Sequence, residues 1–137
     1  MQRRIRKVGI VDRARAIAKL TAPGRKYELQ NVCVNGNEVK WFVNAPTSLR
    51  QLISEARCEK TFFVYNDERY TFEEFYQRAS NLGRRLIDDY GVKPGDRVAI
   101  GLRNYPEWAL AFAAITSIGG IVAGLNAWWE SDELEYG

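Results

Sequence analysis

Carboxylate pairs are the first place to look for acid/base chemistry, and this chain has two, Glu73-Glu74 and Asp88-Asp89. Such pairs work when one carboxyl holds a proton that its neighbour has lost. Both lie on the solvated face of a strongly amphipathic segment, so they read as surface charge. Asp96-Arg97 stands at a strand start, where turn geometry and a surface ion pair account for it. Cys33 and Cys58 have no metal-ligand spacing and read as reduced thiols of a cytoplasmic protein. The sequence contains no histidine, which excludes Ser-His-Asp triads, HExxH zinc sites and histidine general bases.

Glycine-rich loops that cradle phosphate are the next possibility. The run Gly119-Gly120-Ile121-Val122-Ala123-Gly124 fails the G-x-G-x-x-G pattern because Ile121 stands where the second glycine belongs. It also joins a helix to a strand, whereas a dinucleotide loop joins a strand to a helix. It reads as a helix stop followed by close packing. No G-x-x-x-x-G-K-[ST] cradle occurs. Trp128-Trp129 follows a strand and reads mainly as core packing, with a ligand pocket or interface as the competing role.

The elements that would position these residues follow from periodicity. Residues 27–34 and 38–43 are strand-like runs around Asn35-Gly36, a strong hairpin signal. Pro46 ends the second run, and Thr47 or Ser48 can cap a short helix through residue 56. Residues 61–65 predict a strand, followed by a brief partner at 69–70. Thr71 and Glu74 predict a capping box, and Phe72, Phe75, Tyr76, Ala79, Leu82, Leu86, Ile87 and Tyr90 form one apolar stripe at helical spacing. Glu74 with Arg78 and Arg84 with Asp88 are expected i,i+4 pairs on its wet side. Gly91 closes this helix in a left-handed conformation. Pro94-Gly95-Asp96 is a tight turn, 97–102 a strand, and Asn104 the expected cap of a buried helix at 108–118. With a strand at 121–125 this makes a βαβ unit at 97–125, whose crossover should be right-handed. Ser131 opens a further helix.

Charge is unevenly spread. Residues 1–26 hold nine Lys/Arg and one Asp, and the rest of the chain holds eleven Lys/Arg against sixteen Asp/Glu. A basic leader at 1–26, expected to be helical, thus precedes an acidic body at 27–137. The leader lacks the serines of a transit peptide and the one-sided charge of a nucleic-acid arm, so no nucleic-acid partner is expected. Trp108 through Trp129 is an uncharged run of 22 residues. Its central Gly119-Gly120 argues for a helix stop rather than a transmembrane segment.

Four blocks, taken in order, resemble AMP-forming acyl-CoA synthetases of the adenylate-forming (AMP-binding) superfamily, in the long-chain fatty-acid-CoA-ligase style. They are Thr71-Phe72-Glu73-Glu74-Phe75, the block from Gly91 through Gly95, Asp96 and Ile100, Asn104-Tyr105-Pro106-Glu107, and the block from Ile118 through Gly119, Gly120 and Leu125 to Asn126. Glu133-Leu134 resembles a following helix start, and Asn44-Ala45-Pro46 with Leu49 the lead-in of long-chain members. The family's Val-Pro is replaced here by Ala123-Gly124. The resemblance covers about residues 40–137. It implies an α/β fold, the N-terminal part of the family's large domain, with the βαβ unit at 97–125 and an N-terminal hairpin. It further implies an enzyme that joins a carboxylic acid, a fatty acid by preference, to coenzyme A using ATP and Mg²⁺, with AMP and pyrophosphate as products.

The family's phosphate-loop lysine, Mg²⁺-binding Glu, ribose-binding Asp and C-terminal Lys have no counterpart in these 137 residues. No catalytic, cofactor-binding or metal-binding residue is therefore carried over. The motif residues Thr71, Glu74, Gly91, Gly95, Asp96, Asn104, Gly119, Gly120 and Asn126 are expected to be structural, and Trp128 and Trp129 are the candidates for a pocket or interface if they are not core. The chain alone is expected to be inactive, to be cytoplasmic with at most peripheral membrane contact, and to self-associate through uncovered apolar strands. A stand-alone binding or assembly module on the same scaffold is the alternative.

Overall fold

Asp12 opens the first helix, α1 (Arg13–Thr21), its carboxylate accepting the Ala14 N–H at 3.1 Å. The computed structural model describes residues 12–137, so the first part of the expected leader, residues 1–11, lies outside the described residues. The chain divides into two units, one ending at Ala45 and one spanning Pro46–Gly137. In the first, strands β1 (Leu29–Val34) and β2 (Asn37–Phe42) pair antiparallel, with Val34 opposite Asn37. Asn35 (φ 50°) and Gly36 (φ 80°) both adopt the left-handed conformation that a two-residue hairpin turn requires. Val32 faces Val39 across the ladder, and Gln30 faces Trp41.

In the second unit, helix α2 (Leu49–Glu55) is capped by the Ser48 hydroxyl, which accepts the Gln51 N–H at 3.1 Å. Strands β3 (Thr61–Tyr65) and β4 (Glu68–Thr71) form a second antiparallel hairpin leading into α3 (Phe72–Asp88). At the start of α3 the Thr71 hydroxyl accepts the Glu74 N–H at 3.1 Å, and the Glu74 carboxylate accepts the Thr71 N–H at 2.8 Å. Two otherwise orphaned donors are thereby satisfied. At its far end Gly91 (φ 67°) donates to the Ile87 carbonyl at 3.0 Å, a left-handed cap.

Strand β5 (Arg97–Ile100), helix α4 (Pro106–Ser117) and strand β6 (Ile121–Gly124) make the βαβ unit. β5 and β6 are parallel, in register from Arg97 opposite Ile121 to Ile100 opposite Gly124. A last short helix, α5 (Ser131–Tyr136), follows. The uncharged run at 108–129 is thus shared between a helix, a turn and a strand. No helix among the described residues is long and apolar enough to cross a membrane. The core lies where α3 meets α4: Phe75, Ala79 and Ala113 are buried, with Ile53, Phe63, Ala109 and Leu110 packed against them. Gly83 lets the helices approach, since a Cβ there would come within 3.1 Å of the Ile118 side chain.

Three local expectations are corrected. Asn104 is not the cap of α4: Pro106 occupies a first-turn position, which makes Tyr105 the N-cap, and no side chain bonds the exposed N–H groups. Asp96 forms no ion pair with Arg97; its carboxylate instead accepts the Lys93 N–H at 2.8 Å and closes the Pro94-Gly95 turn. The ion pairs among the described residues are Arg85 with Asp89 at 3.0 Å and Arg57 with Glu73 at 2.8 Å, in place of the expected Glu74–Arg78 and Arg84–Asp88.

The Arg57–Glu73 pair fastens the loop after α2 to the first turn of α3. Arg57 donates through two nitrogens, at 2.8 Å each, and Gln77 adds a third hydrogen bond to the carboxylate at 2.9 Å. The Arg57 hydrogen bond, followed by that of Gln77, lowers the Glu73 carboxyl from 4.5 to about 2. A carboxyl depressed on folding contributes stability above its unfolded pKa, which is lost as pH falls through the folded value. Glu73→Gln should therefore lower the thermal midpoint at pH 6. The gap to the parent chain should close between pH 4.5 and about 2. Calorimetry across that range checks it, and a gap unchanged at pH 2 would contradict it.

Candidate functional site

In open α/β sheets, ligands gather outside the carboxyl ends of parallel strands, because the loops there converge and the helix that follows a strand points its amino end the same way. β5 and β6 deliver two loops to that edge. The β6 side is held close by the Leu125 N–H, which donates to the Ile100 carbonyl at 3.0 Å. Past it, the Asn126 side-chain oxygen accepts the Trp128 N–H at 3.1 Å and its carbonyl accepts the Trp129 N–H at 3.1 Å. These two bonds turn the chain and leave the Trp128 side chain outside, 72% exposed. From the β5 loop, the Arg103 guanidinium lies 3.5 Å from the Trp128 ring centroid.

Leu102, Arg103, Asn104, Trp108, Asn126 and Trp128 line a cleft of about 560 Å³ between the loops. It offers a guanidinium with no ion-pair partner among the described residues, two amide side chains and an indole face. Helix α4 starts beside it without a side-chain cap. Guanidinium and amide N–H groups are hydrogen-bond donors suited to anions. No nucleophile–base pair is part of the lining. The cleft lining has no Asp or Glu and carries a guanidinium, so its residues do not fit a Mg²⁺ ion.

Of the motif residues singled out from the sequence, Asn104, Asn126 and Trp128 meet in this cleft, and Trp129 lies half-buried beside it. The others lie elsewhere. Gly95, Asp96, Gly119 and Gly120 cluster at the opposite, amino ends of the strands. There the Gly95 N–H donates to the Gly119 carbonyl at 2.8 Å and the Ile121 N–H to the Asp96 carbonyl at 2.8 Å. Thr71, Glu74 and Gly91 cap α3. Arg103 and Trp108 escaped the sequence reading. The available signal for Arg103 was a lone basic residue between a strand end and a helix start.

The family described as AMP-binding enzyme matches residues 50–137. The mouse (Mus musculus) long-chain fatty acid transport protein 6 is 29% identical over 90 residues, covering 64% of this chain and 14% of its own length. The acetyl-coenzyme A synthetase of Mesorhizobium japonicum is 32% identical over 107 residues, covering 69% of this chain and 16% of its own. Among solved structures, an anthranilate CoA ligase in complex with anthranoyl-AMP superposes with a TM-score of 0.61 at 26% identity, over 65% of this chain and 18% of that one. The chain thus spans less than a fifth of the length of each of these proteins.

Proposed function

The chain belongs to the AMP-binding enzyme family, and we propose that it forms part of an ATP-dependent carboxylate–CoA ligase of the fatty-acid type, acting in the cytoplasm. In that reaction a carboxylate oxygen attacks the α-phosphorus of ATP and pyrophosphate leaves, giving an acyl-adenylate. The thiol of coenzyme A then attacks the acyl carbon and AMP leaves. The observation that carries the reading is the family match over 50–137, joined to relatives whose names specify acetyl-CoA synthesis and long-chain fatty acid transport.

The role of this segment is scaffold. The α3–α4 layer and the β5–β6 pair give the whole enzyme a wall and a cleft, and the groups that grip triphosphate and Mg²⁺ are supplied by other residues of that enzyme. The fatty-acid preference draws support from the long-chain lead-in at Asn44-Ala45-Pro46 and from the fatty acid transport relative.

The test is product analysis on the protein that carries this segment, given ATP, Mg²⁺ and coenzyme A with laurate, acetate or an amino-acid mixture. Laurate should yield lauroyl-CoA with kcat/KM at least ~10-fold above acetate, since each methylene that finds an apolar pocket adds discrimination. Amino-acid-dependent pyrophosphate release without a CoA thioester would overturn the proposal.

A further inference from the structure

We propose that the first unit binds the surface of an anionic bilayer through a cationic groove at the end of α1. This goes beyond the ligase reading, because it rests on residues 12–45, which lie outside the family match at 50–137.

Charge sets the two units apart. Residues 1–45 hold ten Lys/Arg and three Asp/Glu, whereas residues 46–137 hold ten and fourteen. Ala16, Lys19, Leu20, Arg25, Lys26 and Tyr27 line a groove of about 510 Å³. Half of this lining is cationic and none of it is acidic. No carboxylate among the described residues neutralises it: the ion pairs present are Arg57–Glu73 and Arg85–Asp89. Glu28, the next acid along the chain, is spent on the backbone, where it accepts the Gly24 N–H at 2.8 Å. The Arg25 carbonyl accepts the Glu28 N–H at 3.0 Å and the Asn44 side-chain amide at 3.2 Å. These bonds fix the turn that presents Arg25 and Lys26.

The same groove is apolar. Leu20 and Tyr27 line it, and Ile17 stands one turn back on the stripe of α1 that carries Leu20. All three are about half exposed, and none of residues 12–45 is buried. A nine-residue helix and a two-stranded hairpin are each marginal alone in water, so covering their apolar side stabilises them. A bilayer surface meets both requirements. Its headgroup phosphates face the three cations, and its interfacial layer takes up the leucine and isoleucine side chains and the tyrosine ring. A nucleic acid or a free phosphate would neutralise the cations and leave Ile17 and Leu20 in water.

Vesicle flotation of the 137-residue chain tests this. Phosphatidylcholine vesicles with about 30% phosphatidylserine should bind at least ~10-fold more tightly than phosphatidylcholine alone, and ~0.5 M NaCl should release the chain. The triple variant Lys19→Gln, Arg25→Gln, Lys26→Gln should weaken binding ~100-fold, roughly fivefold per charge. Leu20→Ser should weaken it ~10-fold, since the leucine no longer enters the interface. Arg50→Gln with Arg84→Gln removes two charges from the other unit and should bind like the parent chain. Equal binding to both vesicles, or a loss in that control as large as in the triple variant, would overturn the proposal. So would Leu20→Ser without effect, release from vesicles by ~10 mM inorganic phosphate at constant ionic strength, or tighter binding to a short DNA duplex than to the anionic vesicles.

Discussion

Phe75→Ala should remove about 3–5 kcal/mol from the stability of the Pro46–Gly137 unit. Phe75 is 6% exposed and sits on the inner face of α3. Its ring centroid lies 4.7 Å from that of Phe62 and 5.6 Å from that of Phe63, and Phe63 in turn lies 5.3 Å from Tyr70. Alanine would strip the centre from this aromatic cluster and leave a cavity against Ala79 and Ala113, neither of which can extend to fill it. Whole domains are stable by only about 5–15 kcal/mol, so the loss is a large share of the total. Urea unfolding followed by circular dichroism measures it. A loss below about 1 kcal/mol would mean that this cluster is not the core.

Gly120→Val should cost about 3 kcal/mol, by steric overlap rather than by cavity formation. The Gly119 N–H donates to the Thr116 carbonyl at 3.2 Å and the Gly120 N–H to the Ile115 carbonyl at 2.9 Å, the paired bonds of a Schellman helix end. A Cβ at Gly120 would fall 2.8 Å from the Ile115 side chain and 3.1 Å from the Ile115 carbonyl oxygen. Ile115 is 2% exposed and cannot swing aside. Valine adds two further carbons to the overlap. Gly124→Ala is the internal control: its Cβ would meet nothing within 4 Å, and its effect should stay within about 0.5 kcal/mol. Equal midpoints for the two variants in the same urea titration would remove the close-packing explanation of the doubled glycine.

The elements legible in the sequence were those with local causes. α3 announces itself through Thr71, Glu74 and an apolar stripe. The hairpin shows through Asn35-Gly36. The βαβ unit shows through two short apolar runs flanking a segment too apolar to be anything but buried. What stayed hidden depends on pairing across the chain. Arg57 and Glu73 stand 16 residues apart, and weak, solvent-screened pairs are not fixed by i,i+4 spacing, so Arg85–Asp89 forms where Arg84–Asp88 was expected. The cap of α4 moved to Tyr105 because proline dictates the first turn. The cleft was legible only in part. Asn104, Asn126 and Trp128 stood out as motif residues, but Arg103 reaches Trp128 only because β5 and β6 pair in parallel and bring their carboxyl ends side by side.

Pyrophosphate release by the purified 137-residue chain, given ATP, Mg²⁺, coenzyme A and mixed carboxylates, tests the scaffold role most directly. No release above the protein-free blank is the predicted result. Sustained, carboxylate-dependent turnover by this chain alone would contradict it, because triphosphate would then be gripped by groups within these residues.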